Sequence, residues 1–224
     1  MKVITVIPAF NEEKTIGKVL DDVKNYCDNI IVVDDGSVDR TFEIAKQYGV
    51  KVIRHIINRG LGAALGTGIK VAFLDNADYI ITFDADGQHR GEDIPRLVKT
   101  AEEGSFDVVI GSRLIDSKGM PLTRRLANWT GNFVTYFLFG IWVTDSQSGL
   151  RLFNRKSAEV LNLKSNRMEV SSEIIKEIKV NNLKFKEIPI KAIYTDYSLS
   201  KPTGQGFIMG LKTLWQLILQ KISK

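Results

Sequence analysis

The chain predicts an α/β fold in which a mostly parallel central sheet is flanked by helices on both faces. Three observations carry that prediction. Through the first 110 residues or so, short β-branched runs alternate with stretches whose apolar residues fall at helical spacing. No Pro/Gly/Ser-rich linker or internal repeat divides the 224 residues, a length one well-buried domain can fill. The loops of unusual composition all follow strands, at the carboxyl ends where open sheets of this class bind ligands.

Val3 to Ile7, Ile30 to Val33, Val50 to Arg54, Tyr79 to Phe83 and Val108 to Ile110 are the predicted strands, each bounded by polar or turn residues. Between them, Lys14 to Tyr26, Thr41 to Tyr48, Ala63 to Phe73 and Ile94 to Glu102 predict helices, with Asp39 a cap for the second. After Gly111-Ser112-Arg113 the alternation ends. The sequence there predicts a helix over Pro121 to Val143, a strand over Gly149 to Phe153 and a helix through Ser171 to Val180. The main domain is expected over residues 1–204. In 205–224, Phe207, Leu211, Leu214, Trp215, Ile218 and Ile222 form one apolar stripe, which predicts an amphipathic helix on a membrane surface, on the core or on a second subunit.

A net charge of +5 suits an anionic partner: nucleic acid, an acidic lipid surface or a phosphorylated substrate. With no zinc-finger, RNA-binding aromatic or helix-turn-helix pattern, nucleic acid is the weakest of these. The apolar run Phe133 to Val143 falls well short of the roughly 20 residues a membrane span requires. The lone Cys27 excludes an internal disulfide framework, and Met1 leads into Val3-Ile4-Thr5-Val6-Ile7 without a signal-peptide pattern, so a cytoplasmic protein is expected.

Four loops carry the chemistry. Asp84 and Asp86 emerge from a buried strand two residues apart, on one side of the chain, where they either grip a divalent metal on a diphosphate or open a turn. Pro8-Ala9-Phe10-Asn11-Glu12-Glu13 offers amide and carboxylate groups to a base and ribose, or caps a helix. Asp34 and Asp35 repel each other unless a donor-rich ring or backbone amides satisfy them. Asn58-Arg59-Gly60-Leu61-Gly62 lets backbone approach a nucleotide at a helix start. Neither Gly-x-Gly-x-x-Gly nor Gly-x-x-x-x-Gly-Lys-Ser/Thr occurs there, which removes dinucleotide and P-loop readings.

Taken together, these motifs resemble family 2 glycosyltransferases of the Rossmann-like GT-A fold, especially the dolichyl- or polyprenyl-phosphate mannose and glucose synthases. The resemblance covers about residues 2–200. It rests on Ile-Pro-Ala-Phe-Asn-Glu-Glu at 7–13, Val-Val-Asp-Asp-Gly-Ser at 32–37, Arg-Gly-Leu-Gly-Ala-Ala at 59–64, Asp-Ala-Asp-Gly-Gln-His at 84–89, Gly-Ser-Arg at 111–113 and Asp-Ser-Gln-Ser-Gly-Leu-Arg at 145–151. It implies that Pro8, Ala9, Asn11, Glu12, Asp34 and Asp35 hold the nucleoside, and that the loop near Gly62 closes over it. Asp84, Asp86 and Gln88 would place magnesium or manganese on the diphosphate, with Ala85 beside the sugar nucleotide. Arg113 and Arg124 match acceptor-phosphate arginines, and Lys201 matches a basic residue that closes on the reacting phosphates. Asn128 stands where the family often has serine. Arg90-Gly91 departs from the family pattern, and His89 is read as a loop hydrogen-bonding residue; His55 is read as structural.

The implied reaction is inverting, in-line transfer of a sugar from a nucleotide-sugar of the GDP-mannose or UDP-glucose type to a polyprenyl or dolichyl monophosphate. Asp86, Arg113, Arg124 and Lys201 would act on the reacting groups. A lipid monophosphate has a second pKa near 6 and is ionised at neutral pH, so no protein base is needed. The enzyme would lie peripherally on the cytoplasmic membrane face, with the second half building the acceptor side. A second copy or an integral-membrane protein is the further partner considered. Two other readings compete. A sugar-hydroxyl acceptor would need a base, for which Glu169 and Glu173 are the candidates; a sugar-nucleotide sensor would keep the fold without turnover.

Overall fold

The computed structural model describes residues 1–117, 120 and 122–193, and for Thr123 and Arg124 the backbone alone. Seven strands form one sheet in the order β3-β2-β1-β4-β6-β5-β7. The central strand β1 (Val3–Ala9) is buried along its whole length, as a parallel strand covered on both faces must be. It pairs in parallel with β2 (Asn29–Asp34) and β4 (Tyr79–Thr82), and β2 pairs in parallel with β3 (Lys51–Arg54). β6 (Arg151–Asn154) runs antiparallel between β4 and β5 (Val108–Ser112), and β7 (Phe185–Pro189) lies parallel to β5. The predicted mostly parallel, helix-flanked sheet is therefore present.

Alternation along the strands divides the core in two. Val3, Ile7, Ile30, Val32 and Ile81 face α1 (Ile16–Val23), α2 (Thr41–Gln47) and α4 (Asp93–Gly104). Ile4, Val6, Ile31, Val33 and Ile80 face α3 (Leu61–Leu74), α6 (Arg155–Val160) and α7 (Val170–Val180). Each large apolar side chain so buried contributes about 1.5–3 kcal/mol. α3 lies close against the sheet because Gly68 has no side chain: a Cβ there would stand 2.2 Å from Val6 Cγ1.

The structure corrects several predicted bounds. The first helix is shorter than Lys14 to Tyr26 because the Glu12 carbonyl accepts both the Thr15 and Ile16 amides, making a turn before the regular helix. α5 (Leu122–Phe139) stops short of Val143 because Gly140, at φ +67°, takes the left-handed conformation that ends a helix. The strand predicted from Gly149 begins at Arg151. Arg40, not Asp39, holds the N-cap position of α2; Asp39 stands one residue earlier, its Oδ1 accepting the Thr41 amide at 3.0 Å. α6 and β7 were not anticipated. Lys201 and the stripe in 205–224 lie outside the described residues.

Candidate active site

The loops after β1, β2 and β4 and the segment leading into the antiparallel β6 meet the start of α3 and the first turns of α7 around a cleft of about 360 Å³. Pro8, Ala9, Glu12, Asp35, Asp84, Ala85 and Asp86 line it. Asn11, Asp34, Gly62, Gln88 and Arg113 do not line it but surround the residues that do.

The end of the cleft beside Pro8 and Asp35 is braced from within. Asp35 Oδ1 accepts from His55 Nδ1 (2.7 Å) and the Arg59 amide (3.0 Å), while Oδ2 accepts the Gly60 amide (2.6 Å). Backbone amides therefore satisfy this carboxylate and shape the glycine loop around it. His55 Nε2 reaches Thr67 Oγ1 on α3 at 3.0 Å, so the ring read as structural also aims Asp35. Asp34 is fully buried beneath the loop, with Oδ1 on the Ser37 amide (3.3 Å) and Oδ2 3.1 Å from Arg54 Nε. Asn11, at φ +55°, staples the same loop through its amide to Ser37 Oγ (3.0 Å) and its Oδ1 from the Val38 amide (3.0 Å). Gly62 packs on the Ser165 carbonyl, where a Cβ would come within 1.9 Å.

The acidic end is more finely set. His89 Nε2 donates to Asp84 Oδ2 (3.2 Å), and its fully buried ring stands edge-on to Phe83, which supports its reading as a loop hydrogen-bonding residue. Burial raises the Asp84 carboxyl, but the His89 bond and the Arg113 and Arg151 charges outweigh it and hold Asp84 below the usual value. Asp86 shifts the other way, raised by burial and then by the Asp84 charge. Its Oδ1 accepts the Gln88 amide (2.9 Å) and its Oδ2 the Gln88 side-chain nitrogen (2.5 Å). Gly149 makes room for Asp84, since a Cβ there would fall 2.0 Å from Asp84 Oδ2.

This donor set fits magnesium or manganese. Both ions take hard oxygen ligands, and magnesium is commonly held by one or two carboxylates plus substrate phosphates. Among the described residues no cluster of three His, Cys, Asp or Glu forms a complete protein cage. Asp84 and Asp86, with the Gln88 side chain, are the residues that would hold the ion.

Arg113 stands beside this floor, its Nε and Nη2 forked onto Asp145 Oδ2 and Oδ1 at 2.7 and 2.9 Å. Such bidentate pairs are the strong ones. Burial raises the Asp145 carboxyl, yet Arg113 and then Arg151 hold it below its usual value. Arg124 lies in the first turn of α5, and its side chain is outside the described residues. Asn58, Gly60 and Leu61 of the glycine loop line the cleft as well, and Gln147, Gly149, Arg151, Met168 and Ser171 line it without having been assigned roles. Gln147, Gly149 and Arg151 belong to a motif already noted; Met168 and Ser171 had no local signal.

Glu173 is not placed to act as a base: only 2% exposed, it accepts the Lys164 and Ser165 amides at 3.0 and 2.8 Å. Glu169 is 8% exposed at the start of α7. Neither lines the cleft.

A family model described as glycosyl transferase family 2 matches residues 4–161. An uncharacterised protein of Methanocaldococcus jannaschii is 53% identical over 99% of this chain and 93% of its own length. The UDP-N-acetylglucosamine–dolichyl-phosphate N-acetylglucosaminyltransferase of Methanococcus voltae is 40% identical over 98% of this chain and 96% of its own. The undecaprenyl-phosphate mannosyltransferase of Micrococcus luteus is 30% identical over 73% and 70%. In shape, the chain is similar to glucosyl-3-phosphoglycerate synthase from Mycobacterium tuberculosis in complex with Mn2+ and UDP-glucose, with a TM-score of 0.74 at 19% identity over 98% of this chain and 78% of that one. The family model runs through the strand-end loops from Pro8 to Arg151 that build the cleft, and the chain belongs to glycosyltransferase family 2, as an enzyme with the GT-A type of fold.

Proposed function

We propose that this glycosyltransferase moves a sugar from a nucleoside diphosphate to a polyprenyl or dolichyl monophosphate, with inversion and with a divalent metal. The observation that carries the reading is the paired acid and base character of one cleft. A two-carboxylate floor at Asp84 and Asp86 lies beside the Arg113–Asp145 fork, and neither glutamate weighed as a base faces the cleft. A hydroxyl acceptor would need deprotonation, whereas a phosphate monoester brings its own ionised oxygen.

Pro8, Ala9, Glu12 and Asp35 bind the nucleoside end, with Asn11 and Asp34 holding the loops in place. A divalent ion on Asp84 and Asp86 supplies Lewis-acid stabilisation of the departing diphosphate. Arg113, oriented by Asp145, steers the acceptor phosphate towards the anomeric carbon; Arg124 and Lys201 are proposed to add charge to the same oxygens. The Methanococcus voltae relative makes UDP-N-acetylglucosamine the first donor to test, ahead of UDP-glucose and GDP-mannose.

In this reading the enzyme lies on the cytoplasmic face of the membrane, and α5 supports the membrane-surface part of it. Its Leu122, Leu126, Trp129, Phe133 and Phe137 are all at least half exposed and share a stripe about 80° wide. Its polar Asn132 and Thr135 are buried instead, Asn132 Oδ1 accepting from the Ser146 amide and Thr135 Oγ1 meeting Ser172 Oγ. A helix that turns polar groups inward and aromatics outward presents an interfacial face. No helix among the described residues is long and apolar enough to cross a membrane.

The deciding experiment offers labelled UDP- and GDP-sugars with a short polyprenyl monophosphate, in manganese or in chelator. Metal-dependent label in the lipid phase is expected. Transfer only to free sugar hydroxyls, or equal transfer in chelator, overturns the reading.

A further inference from the structure

Arg151 is a fully buried guanidinium in the floor of the cleft, 1% exposed. It enters from the antiparallel β6, opposite Thr82 of β4, two residues before Asp84. Its Nη2 donates to the Ser146 carbonyl at 2.8 Å, but its Nε has no hydrogen-bond partner. Its charge acts on both Asp84 and Asp145, while the Arg113 fork already occupies Asp145. A buried cation with an orphaned donor is a poor stabiliser, and an apolar side chain of similar volume commonly does as well or better in such a place. The charge itself therefore needs a use.

Two facts suggest one. The described residues supply only two carboxylates and no complete cage, so further oxygens must come with the substrate or from water. A dication approaching Asp84 alone meets the repulsion of Arg151, whereas a dication carrying a diphosphate arrives with negative charge that cancels it. We propose that Arg151 is a positioning residue that couples metal to donor: it weakens binding of the bare ion and favours entry of the ion together with the nucleoside diphosphate. The inference rests on the metal–diphosphate reading above. Coupling of this kind is reciprocal, so each ligand strengthens the other by the same factor.

The test titrates Mn2+ by the electron paramagnetic resonance of the free ion, with and without UDP, on the wild type, Arg151→Met, Arg151→Gln and Arg151→Lys. In the wild type, UDP is expected to tighten Mn2+ at least about tenfold. The two neutral variants are expected to bind Mn2+ alone about fivefold or more tighter and to lose most of the gain from UDP, while the lysine variant stays within about threefold of the wild type. A purely structural role cannot tighten the bare ion. Unchanged or weaker Mn2+ binding by folded neutral variants overturns the proposal. So does failure of both to fold while Arg151→Lys folds, which would assign the charge to stability. A wild type that binds no Mn2+ with UDP or GDP instead takes down the metal–diphosphate reading, a distinct result.

Discussion

At Gly149 the missing side chain is what leaves Asp84 free to face the cleft. Gly149→Ala puts a methyl within 2.0 Å of that carboxylate, and kcat/KM for sugar transfer is expected to fall at least about tenfold, as a misplacement near 1 Å can cost a hundredfold. Asp145 makes a pH-dependent contribution. Because its folded pKa lies below the unfolded value near 3.9, its stabilisation is present above that value and lost as pH falls through the folded pKa. Asp145→Asn, which leaves Arg113 without its carboxylate, should cost about 3 kcal/mol at pH 7. The gap to wild type should narrow as pH falls below the unfolded value near 3.9 in urea unfolding curves. Asp84 and Asp86 were legible in sequence as two closely spaced carboxylates just past a buried apolar strand, although β4 ends at Thr82 and they reach the cleft from the turn beyond it. The bracing of Asp35 by His55 and the place of Arg151 were not, since those partners come from 20 and 67 residues away in the chain.

Among the elements, α7 carries the clearest test of the hydroxyl-acceptor alternative. Glu173 in its first turn ties down the Lys164 and Ser165 amides, and Ser165 in turn abuts Gly62. Glu173→Gln is expected to lower stability by about 1–2 kcal/mol while leaving turnover near wild type. A collapse of turnover with donor binding preserved would restore a base at this position. For α5, Trp129→Glu with Phe133→Glu should reduce co-flotation with anionic vesicles without lowering the melting temperature, because both rings are exposed and stack on each other rather than on the core. The elements through β5 were readable since most are continuous apolar runs or helical stripes. β7 was not: Phe185-Lys186-Glu187-Ile188-Pro189 is an edge strand whose alternation is blurred by charge and ends in proline. α6 is only six residues, capped by Asn154, too short for a periodic signal.

For the molecule as a whole, donor and metal should act as one stabilising ligand. At about a hundred times the dissociation constant, Mn2+ with the correct nucleoside diphosphate adds about 2.7 kcal/mol, a rise of roughly 5–10 °C for a chain this size. Differential scanning calorimetry should show that rise and its loss in chelator. The sheet order has another consequence. Among the described strands β5 pairs only with β6 and β7, yet it leaves the ribosome some 40 residues before the first of them and more than 70 before the second. β1, β2, β3 and β4 can pair as they emerge, while β5 waits. During synthesis the half carrying β1 to β4 is therefore expected to gain protection from proteases first, the segment carrying Arg113 following only after Arg151 arrives to be its neighbour.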